Sequence, residues 1–509
     1  MNQTVAVKKT LSQKYSDIMP KGAGALFFIQ MFATLAFSVL YSTLVLYLTK
    51  TKNLHINDTT ANGITASFVA FNFALHLLGG YVGGRFLSYR SLFSIGMCLQ
   101  VIGCVFISIP STTPLFWGLA AFLTGAGLNV TCINCMLTQL FKPDDKRREA
   151  AFLWNYSGMN MGFFIGFSVS GYLQLQNAYH ELFLFAGIGN LITLLLTAFK
   201  WNSLNDSNTS FIRLPKADKL RANLKGAFFI LLLVLSLRVL IKNENISNSL
   251  IMLAGIFMAF VIAYLAIKQP SIEESKKIWA YLILALTSLV FYTLYQLAPM
   301  GLTLFIERNV DRHYLGMLIA PQWVQNINTV VIIIGGPLLS VIFTSMRNRG
   351  TQLTIPVQFG IALLLIGLSM LILPVGIYFA NALGYTNFNW ILVSYILQSI
   401  GELFISPIGY AMVGQLAPMH LQGVMMGTWL MVVGVAATLS GYFSNMALGS
   451  SNSTDPLLTN ASYSHTFGLL GWAAIATGIV LLFLIPFITR LTQEKKLFAQ
   501  QQIISPVGL

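Results

Sequence analysis

The chain has 509 residues, of which 56% are hydrophobic and only 9% are charged, and its mean hydropathy is +0.71. Soluble globular domains carry about 25% charged residues, so this composition excludes an ordinary soluble protein, a disordered chain and an extracellular disulfide scaffold. The net charge of +14 is spread over short segments between apolar runs, whereas nucleic-acid-binding proteins concentrate basic residues in one domain. We therefore predict an all-α polytopic membrane protein that contacts the lipid bilayer and has no nucleic-acid partner.

Apolar runs of about 20 residues cross the bilayer core as α-helices, and fourteen such runs can be placed along this chain. In chain order, the predicted spans are residues 22–49, 62–85, 91–110, 114–141, 150–175, 181–199, 226–242, 247–268, 278–306, 321–345, 353–380, 389–417, 422–447 and 466–491.

The distribution of basic residues between these spans predicts their orientation. If the N-terminus is cytoplasmic, twenty-four Lys and Arg residues fall in inside segments, and only Lys50, Lys52, Lys242, Arg308 and Arg312 fall outside. Cytoplasmic loops carry an excess of Lys and Arg, so the alternation indicates that both termini are cytoplasmic. We expect a multi-pass protein of a bacterial inner membrane.

A long polar stretch, residues 200–225, follows the sixth span, and the next two spans are short and nearly without polar side chains. This pattern predicts an N-terminal six-helix bundle over 1–200, a linker with two inserted helices over 201–277, and a C-terminal six-helix bundle over 278–509. Such a 6 + 2 + 6 arrangement is similar to that of major facilitator transporters, which bind substrate near the midplane between two halves.

Only one of the sixteen acidic residues, Glu402, lies deep inside a predicted span, and no Lys or Arg lies at mid-depth in the twelve core spans. An ionised side chain at that depth costs about 2.5–3.5 kcal/mol. Either Glu402 is protonated and bonded across helices, or it faces a cavity as a substrate-binding or proton-carrying carboxylate. We predict the second role, in which a cation or a proton is the partner of Glu402.

Other polar and aromatic side chains at depth either pack helices together or line a cavity. His76 is the second proton-coupling candidate because imidazole titrates near neutral pH, although a packing role against a backbone carbonyl suits it as well. The sequence has no metalloprotease, phosphate-loop or nucleophile-elbow motif. We therefore predict no enzymatic activity, no cofactor and no metal site.

Three stretches resemble motifs of the proton-dependent oligopeptide transporter (POT or PTR) family of the major facilitator superfamily. Residues 152–162 resemble the F-Y-x-x-I-N-x-G signature of its fifth helix, and residues 401–409 read G-E-L-F-I-S-P-I-G, close to its G-E-L-F-x-S-P-x-G. Residues 291–296 with 308–312, and residues 321–328, resemble its seventh and eighth core helices. Bacterial members commonly share the 6 + 2 + 6 plan.

The resemblance implies proton-driven uptake of di- and tripeptides. It implies that Glu402 and Asn328 clamp the peptide amino group, while Tyr156 and Asn160 contact the peptide backbone. The full set of predicted substrate-binding residues is Glu402, Asn328, Asn160, Tyr156, Gln296, Trp429, Tyr41 and Gln30.

The chain departs from the family where the family places its charges. The E-x-x-E-R positions begin at Gln30 and end at Thr34, and Tyr41 stands at the position of a later Arg. Val130 stands at the position of the fourth-helix Lys, and Gln296 stands at the position of a seventh-helix acid. The resemblance thus implies an atypical member whose proton coupling and carboxylate recognition both differ from the usual pattern.

We predict a monomeric secondary active transporter, by resemblance a proton-coupled importer of peptides or peptide-like small molecules. Glu402, with His76 second, is the predicted proton carrier. Two alternatives remain open: a non-transporting receptor or sensor built on a transporter fold, and an exporter or facilitator of a non-peptide solute that bears an amine or chelates a metal.

Overall fold

The computed structural model describes residues 22–141, 145, 147–206, 209–349, 353–449 and 453–492, and it confirms the all-α class. The α-helices are α1 Ala23–Lys50, α2 Asp58–Val82, α3 Tyr89–Ile107, α4 Thr112–Gln139, α5 Arg147–Leu175, α6 Tyr179–Phe199, α7 Lys216–Lys242, α8 Glu244–Lys268, α9 Ile272–Tyr295, α10 Gly301–Asn309, α11 Pro321–Asn348, α12 Ile355–Tyr378, α13 Phe388–Leu416, α14 Gln422–Leu448 and α15 Pro456–Thr492.

Within the described residues, thirteen helices are long and apolar enough to cross a membrane. The predicted fifth span forms the 29-residue helix α5 but is not among these thirteen. Its polar side chains, which include Asn155, Asn160 and Gln174, lower its hydropathy. The fourteen predicted spans therefore all contain a helix, while thirteen satisfy the composition expected of a membrane span.

The prediction of one continuous helix over 278–306 is wrong. Helix α9 ends at Tyr295, the buried turn of Leu297 and Met300 follows, and α10 begins at Gly301. Pro299 explains the break, because proline lacks a backbone N–H and disfavours helical geometry in the residue before it. The break leaves Gln296 at the C-terminal end of α9.

Two helices begin about ten residues earlier than predicted, because their first turns are polar. Helix α7 begins at Lys216 instead of 226, and α15 begins at Pro456 instead of 466. At α15 the side chain of Asp455 accepts a hydrogen bond of 3.0 Å from the backbone N–H of Leu457. An acidic residue followed by proline is a typical helix start, and hydropathy alone does not detect it.

Four short strands lie beside α10 and α13. Strand β1 (Val310–Asp311) pairs in parallel with β4 (Thr386–Asn387), and β2 (His313–Tyr314) pairs antiparallel with β3 (Met317–Leu318). Between β2 and β3, Leu315 and Gly316 have φ angles of 50° and 79°. Positive φ at both central residues is the geometry of the tight turn that suits a two-residue hairpin.

The backbone contacts divide the chain into two compact units, of which the first comprises residues 1–40, 75–169 and 178–239. Helices α3 and α4 approach closely in this unit because glycines face each other. A Cβ atom added at Gly125 would lie 2.2 Å from the carbonyl oxygen of Gly96, and one added at Gly118 would lie 2.8 Å from that of Gly103. No larger residue fits at these positions without movement of a helix.

The second unit comprises residues 41–74, 170–177 and 240–509. It contains α8 to α15 together with the C-terminal part of α1 and the N-terminal part of α2. Helices α12 and α15 also meet through glycines, since a Cβ added at Gly367 would lie 3.0 Å from the carbonyl oxygen of Gly471. The predicted division into 1–200, 201–277 and 278–509 concerns membrane bundles and stays a prediction.

Candidate substrate-binding site

Glu402 lies in the middle of α13 and is held by an amide from α11. The Nδ2 atom of Asn328 donates a hydrogen bond of 2.7 Å to Oε2 of Glu402 and another of 3.1 Å to Oγ of Ser399. Ser399 in turn donates to the backbone oxygen of Tyr395 at 2.6 Å. Ser399 and Glu402 are three residues apart and therefore share one helix face, so a single amide from α11 orients both.

Further hydroxyl groups surround the same carboxylate. The side chains of Tyr295 and Ser406 lie within hydrogen-bonding reach of Glu402, and the hydroxyl of Tyr292 is 3.1 Å from that of Ser406. Ser406 lies four residues after Glu402, on the same face of α13. The described surroundings of Glu402 in this unit are thus uncharged hydrogen-bonding groups, which leave the carboxylate able to bind a proton or a cationic ligand.

Trp429 packs against α13 and against Tyr292, next to the surroundings of Glu402. Its side chain is only 1% exposed, and a Cβ added at Gly409 would lie 2.0 Å from its ring. The ring also packs edge-to-face against Tyr292, with 5.9 Å between centroids. Trp429 therefore fixes Tyr292 and α13 in place, and direct contact between Trp429 and substrate stays a prediction.

Tyr41 and Gln296 form an uncharged contact beside Glu402. The hydroxyl of Tyr41 donates a hydrogen bond of 2.9 Å to Oε1 of Gln296, and Gln296 is buried at the end of α9. Tyr41 is also close enough to Tyr395 and Glu402 to interact with both electrostatically. Because this contact carries no net charge, pH does not change it directly.

The remaining predicted residues lie in the first compact unit. The amide of Asn160 donates to the backbone oxygen of Tyr156 at 2.9 Å, one turn earlier on α5, and Tyr156 is 47% exposed. Gln30 is buried and donates to the hydroxyl of Thr34 at 2.9 Å. The inclusion of Asn160, Tyr156 and Gln30 in the same cavity as Glu402 stays a prediction.

His76 also belongs to the first unit, on α2. Its backbone carbonyl accepts a hydrogen bond of 2.7 Å from the hydroxyl of Thr131 on α4. Next to it, a Cβ added at Gly127 would lie 2.2 Å from Cβ of Leu75. His76 thus lies where α2 packs tightly on α4, and its role as a proton carrier stays a prediction.

Sequence reasoning missed Ser399, Ser406 and Tyr395 as parts of the site. All three lie on the face of α13 that carries Glu402, at three residues before, four after and seven before it. These residues could have been predicted from the sequence, because residues three, four and seven positions from Glu402 lie on the same face of a helix. The contact between Tyr41 and Gln296 had no comparable signal, since 255 residues separate the two.

Ion pairs connect the ends of α1 and α2 with α10 inside the second unit. Arg308 donates two hydrogen bonds to Asp58, of 2.5 and 2.9 Å. Lys50 forms an ion pair with Glu307, and Arg312 donates to the same carboxylate at 3.2 Å. Three of the five basic residues that the sequence places outside are therefore paired with acids.

The helical membrane fold and the family that the sequence matches define a secondary transporter of the major facilitator class. A family model described as PTR2, the POT family, matches residues 90–461, so the chain belongs to the POT family. The resemblance inferred from the motifs is thereby confirmed.

Relatives of known name cover nearly the whole chain. It is 31% identical over 481 residues to dipeptide and tripeptide permease A of Cronobacter turicensis, with 94% of each chain covered. It is 29% identical over 479 residues to the permease of the same name from Salmonella typhimurium, covering 93% of this chain and 94% of that one.

The fold also matches solved structures. The crystal structure of a peptide transporter POT in complex with sulfate superposes with a TM-score of 0.81 at 25% identity, covering 93% of this chain and 96% of that one. A POT family transporter in complex with 5-aminolevulinic acid has a TM-score of 0.79 at 22% identity, covering 92% and 97%, which shows the fold alone. These matches confirm a multi-pass inner-membrane protein that belongs to a family of transporters and not of enzymes.

Proposed function

We propose that this protein imports di- and tripeptides or peptide-like compounds with a free amino group, driven by protons. The observation that carries the proposal is the carboxylate of Glu402, held by Asn328 and surrounded by uncharged hydrogen-bond donors. The names of the relatives, dipeptide and tripeptide permease A, support the substrate class.

In the proposed cycle, Glu402 takes up a proton from outside and keeps it while the substrate ammonium group donates a hydrogen bond to the same carboxyl group. A carboxylate at membrane depth is stable when it is either protonated or paired with a cation. The amide of Asn328 holds Oε2 of Glu402, and the carboxyl group has capacity to accept a further hydrogen bond from the substrate amine. Proton and substrate then move inward together and leave Glu402 on the inner side, which links the two fluxes in the same direction through one group.

The opposite end of the substrate meets neutral side chains in our proposal. Gln30, Thr34, Tyr41 and Val130 occupy the positions where the family pattern has charged residues. The amide group of Asn160 has a second hydrogen to donate to a carbonyl or a carboxylate, and Tyr41 donates to either one when its hydroxyl turns away from Gln296. We infer that a blocked C-terminus, such as an amide, is accepted about as well as a free carboxylate.

The topology that we propose has both termini in the cytoplasm, with the ion pairs of Arg308 and Lys50 at the outer surface. The distribution of Lys and Arg along the chain supports this orientation. We further propose that the protein works as a monomer.

Uptake by purified protein in proteoliposomes tests this function. Radiolabelled dialanine and its C-terminal amide are supplied outside, with and without an imposed inward proton gradient. We expect gradient-driven accumulation of both, with KM values within about threefold of each other. A basic anchor for the carboxylate would contribute about 1.5–3 kcal/mol, so a preference of tenfold or more for the free carboxylate would contradict neutral recognition.

The same assay separates the alternatives. Binding of dialanine without flux under every gradient supports the receptor alternative. Equilibration without accumulation supports a facilitator, and accumulation only under an outward gradient supports an exporter.

A further inference from the structure

The inserted helix α8 contacts the outer part of α2 through buried polar groups. The hydroxyl of Ser67 on α2 donates a hydrogen bond of 3.0 Å to Oδ1 of Asn248, and Nδ2 of Asn248 donates one of 3.3 Å to the backbone oxygen of Gly63. Ser67 is fully buried, and Asn248 is 5% exposed. One amide therefore satisfies two groups of α2 away from water.

The approach of the two helices is close at this point. A Cβ added at Gly63 would lie 2.6 Å from Cγ of Glu244, the first residue of α8. A larger residue at position 63 would have to displace the side chain of Glu244, so α2 and α8 are in direct contact here. Sequence composition does not reveal this contact, since α8 reads as an apolar helix that is exposed to lipid.

The rest of α8 is attached to helices of the C-terminal half. It packs along α9 and α14, and a Cβ added at Gly255 would lie 2.3 Å from a methyl group of Val435 on α14. Ile262 and Ala266, further along α8, are fully buried. Helix α8 is thus bound to α9 and α14 along its length and reaches α2 at its N-terminal end.

Helix α2 also packs on α14 over the same stretch. The amide of Asn62 donates to Oδ1 of Asn445 at 2.9 Å, and Asn445 donates to the backbone oxygen of Thr59 at 3.2 Å. A Cβ added at Gly441 would lie 2.6 Å from Cβ of Ala66. The outer part of α2 therefore contacts α14 and α8 together.

We propose that Asn248 is a positioning residue for transport that holds the outer side of the substrate path closed. This inference rests on the proposed transport function, and it adds that α2 separates from α14 when substrate enters from outside. Hydrogen bonds made in only one conformation bias the equilibrium toward that conformation. The inserted helix pair, through Asn248, is then part of the outer gate together with α14 and the ion pairs of α10.

Electron-paramagnetic-resonance distances between spin labels test the proposal on the full-length protein. The labels are placed at Asn53→Cys, before α2, and Leu457→Cys, in the first turn of α15, after the native cysteines are replaced by alanine. Both positions are exposed. Asn248→Ala and Ser67→Ala each remove the same hydrogen bond, and Asn245→Ala is the control, because Asn245 is an exposed residue of the same helix.

We expect Ser67→Ala to raise the population with a long label distance by about three- to fifteenfold, the effect of one hydrogen bond inside a membrane. Asn248→Ala should have at least as large an effect, because it also removes the bond to the backbone oxygen of Gly63. The double variant should resemble Asn248→Ala, since Ser67→Ala removes only a hydrogen bond that Asn248→Ala already removes. Exchange assays should show a lower KM for external substrate without a matching loss of the maximal rate, which a purely structural role would not produce.

Unchanged distances in both single variants would overturn the proposal, as would additive effects in the double variant or an equal effect of Asn245→Ala. The distance measurement needs no substrate. An absence of peptide uptake by the wild-type protein would therefore contradict the proposed function and leave this test of Asn248 intact.

Discussion

At the scale of single residues, the site depends on how one carboxylate is held among uncharged groups. Glu402 is held by Asn328 from α11 and has the hydroxyls of Ser406 and Tyr295 within reach, while Tyr41 and Gln296 form a neutral contact beside it. A hydrogen bond from an amide to a carboxylate contributes about 1.5–3 kcal/mol. Asn328 is thus the neighbour with the largest expected effect on ligand binding.

We predict that Asn328→Ala raises the KM for amine-bearing substrates by about tenfold or more, because the freed carboxylate loses its orientation. The maximal rate should change less than the KM. Proteoliposome uptake over a range of dialanine concentrations measures both. Asn348→Ala, at the exposed C-terminal end of the same helix, is the control, and an unchanged KM in Asn328→Ala would contradict the assignment.

Sequence analysis identified Glu402 but not most of the residues around it, and the reason is physical. Glu402 was found because a single acid in an apolar helix is costly and therefore conspicuous. Ser399 and Ser406 were missed because serine is common in membrane helices, where it bonds to its own backbone. The partner of Tyr41 was unpredictable, since only the folded chain brings the first and ninth helices together.

At the scale of helices, breaks and close contacts follow from proline and glycine. Pro299 divides the predicted ninth span into α9 and α10, which places Gln296 at a helix end beside the site. Glycines let α3 and α4 approach so closely that a single methyl group has no space. Hydropathy predicts that these helices exist, but it does not predict how closely they pack.

We predict that Gly125→Ala destabilises the protein by about 1–3 kcal/mol through overpacking, since the new Cβ would lie 2.2 Å from the backbone of Gly96. Gly336→Ala is the matched control, because a Cβ there meets nothing within 4 Å and alanine favours a helix by up to about 1 kcal/mol. Thermal unfolding in detergent should show a lower midpoint for Gly125→Ala only. Equal midpoints for the two variants would argue against tight packing of α3 on α4.

At the scale of the whole molecule, composition and charge determined most of what the sequence could predict. Long apolar runs define the helices, and the excess of Lys and Arg on alternate loops supports an orientation. The two compact units were not predictable, because the second unit includes residues 41–74 of the first two helices. That grouping follows from close approaches between distant parts of the chain, where contacts such as Arg308 with Asp58 also form.

We predict that a membrane-impermeant thiol reagent labels Ser453→Cys in intact cells and leaves Ser12→Cys unlabelled, in a background without the native cysteines. Ser453 lies just before α15, on the side that we propose to be outer, and Ser12 lies outside the described residues. Cell lysis should expose Ser12→Cys and so provides the control. Labelling of Ser12→Cys before lysis would reverse the proposed topology.

The central claim is that Glu402 binds both the proton and the substrate amine, and its most direct test is Glu402→Gln in proteoliposomes. This change keeps the shape of the side chain and removes its titration. We predict that accumulation of dialanine driven by a proton gradient is lost, while exchange of dialanine across the membrane is retained in part. Glu181→Gln, which alters an exposed acid at the start of α6, should leave both activities unchanged. Gradient-driven accumulation by Glu402→Gln at the wild-type level would contradict the account.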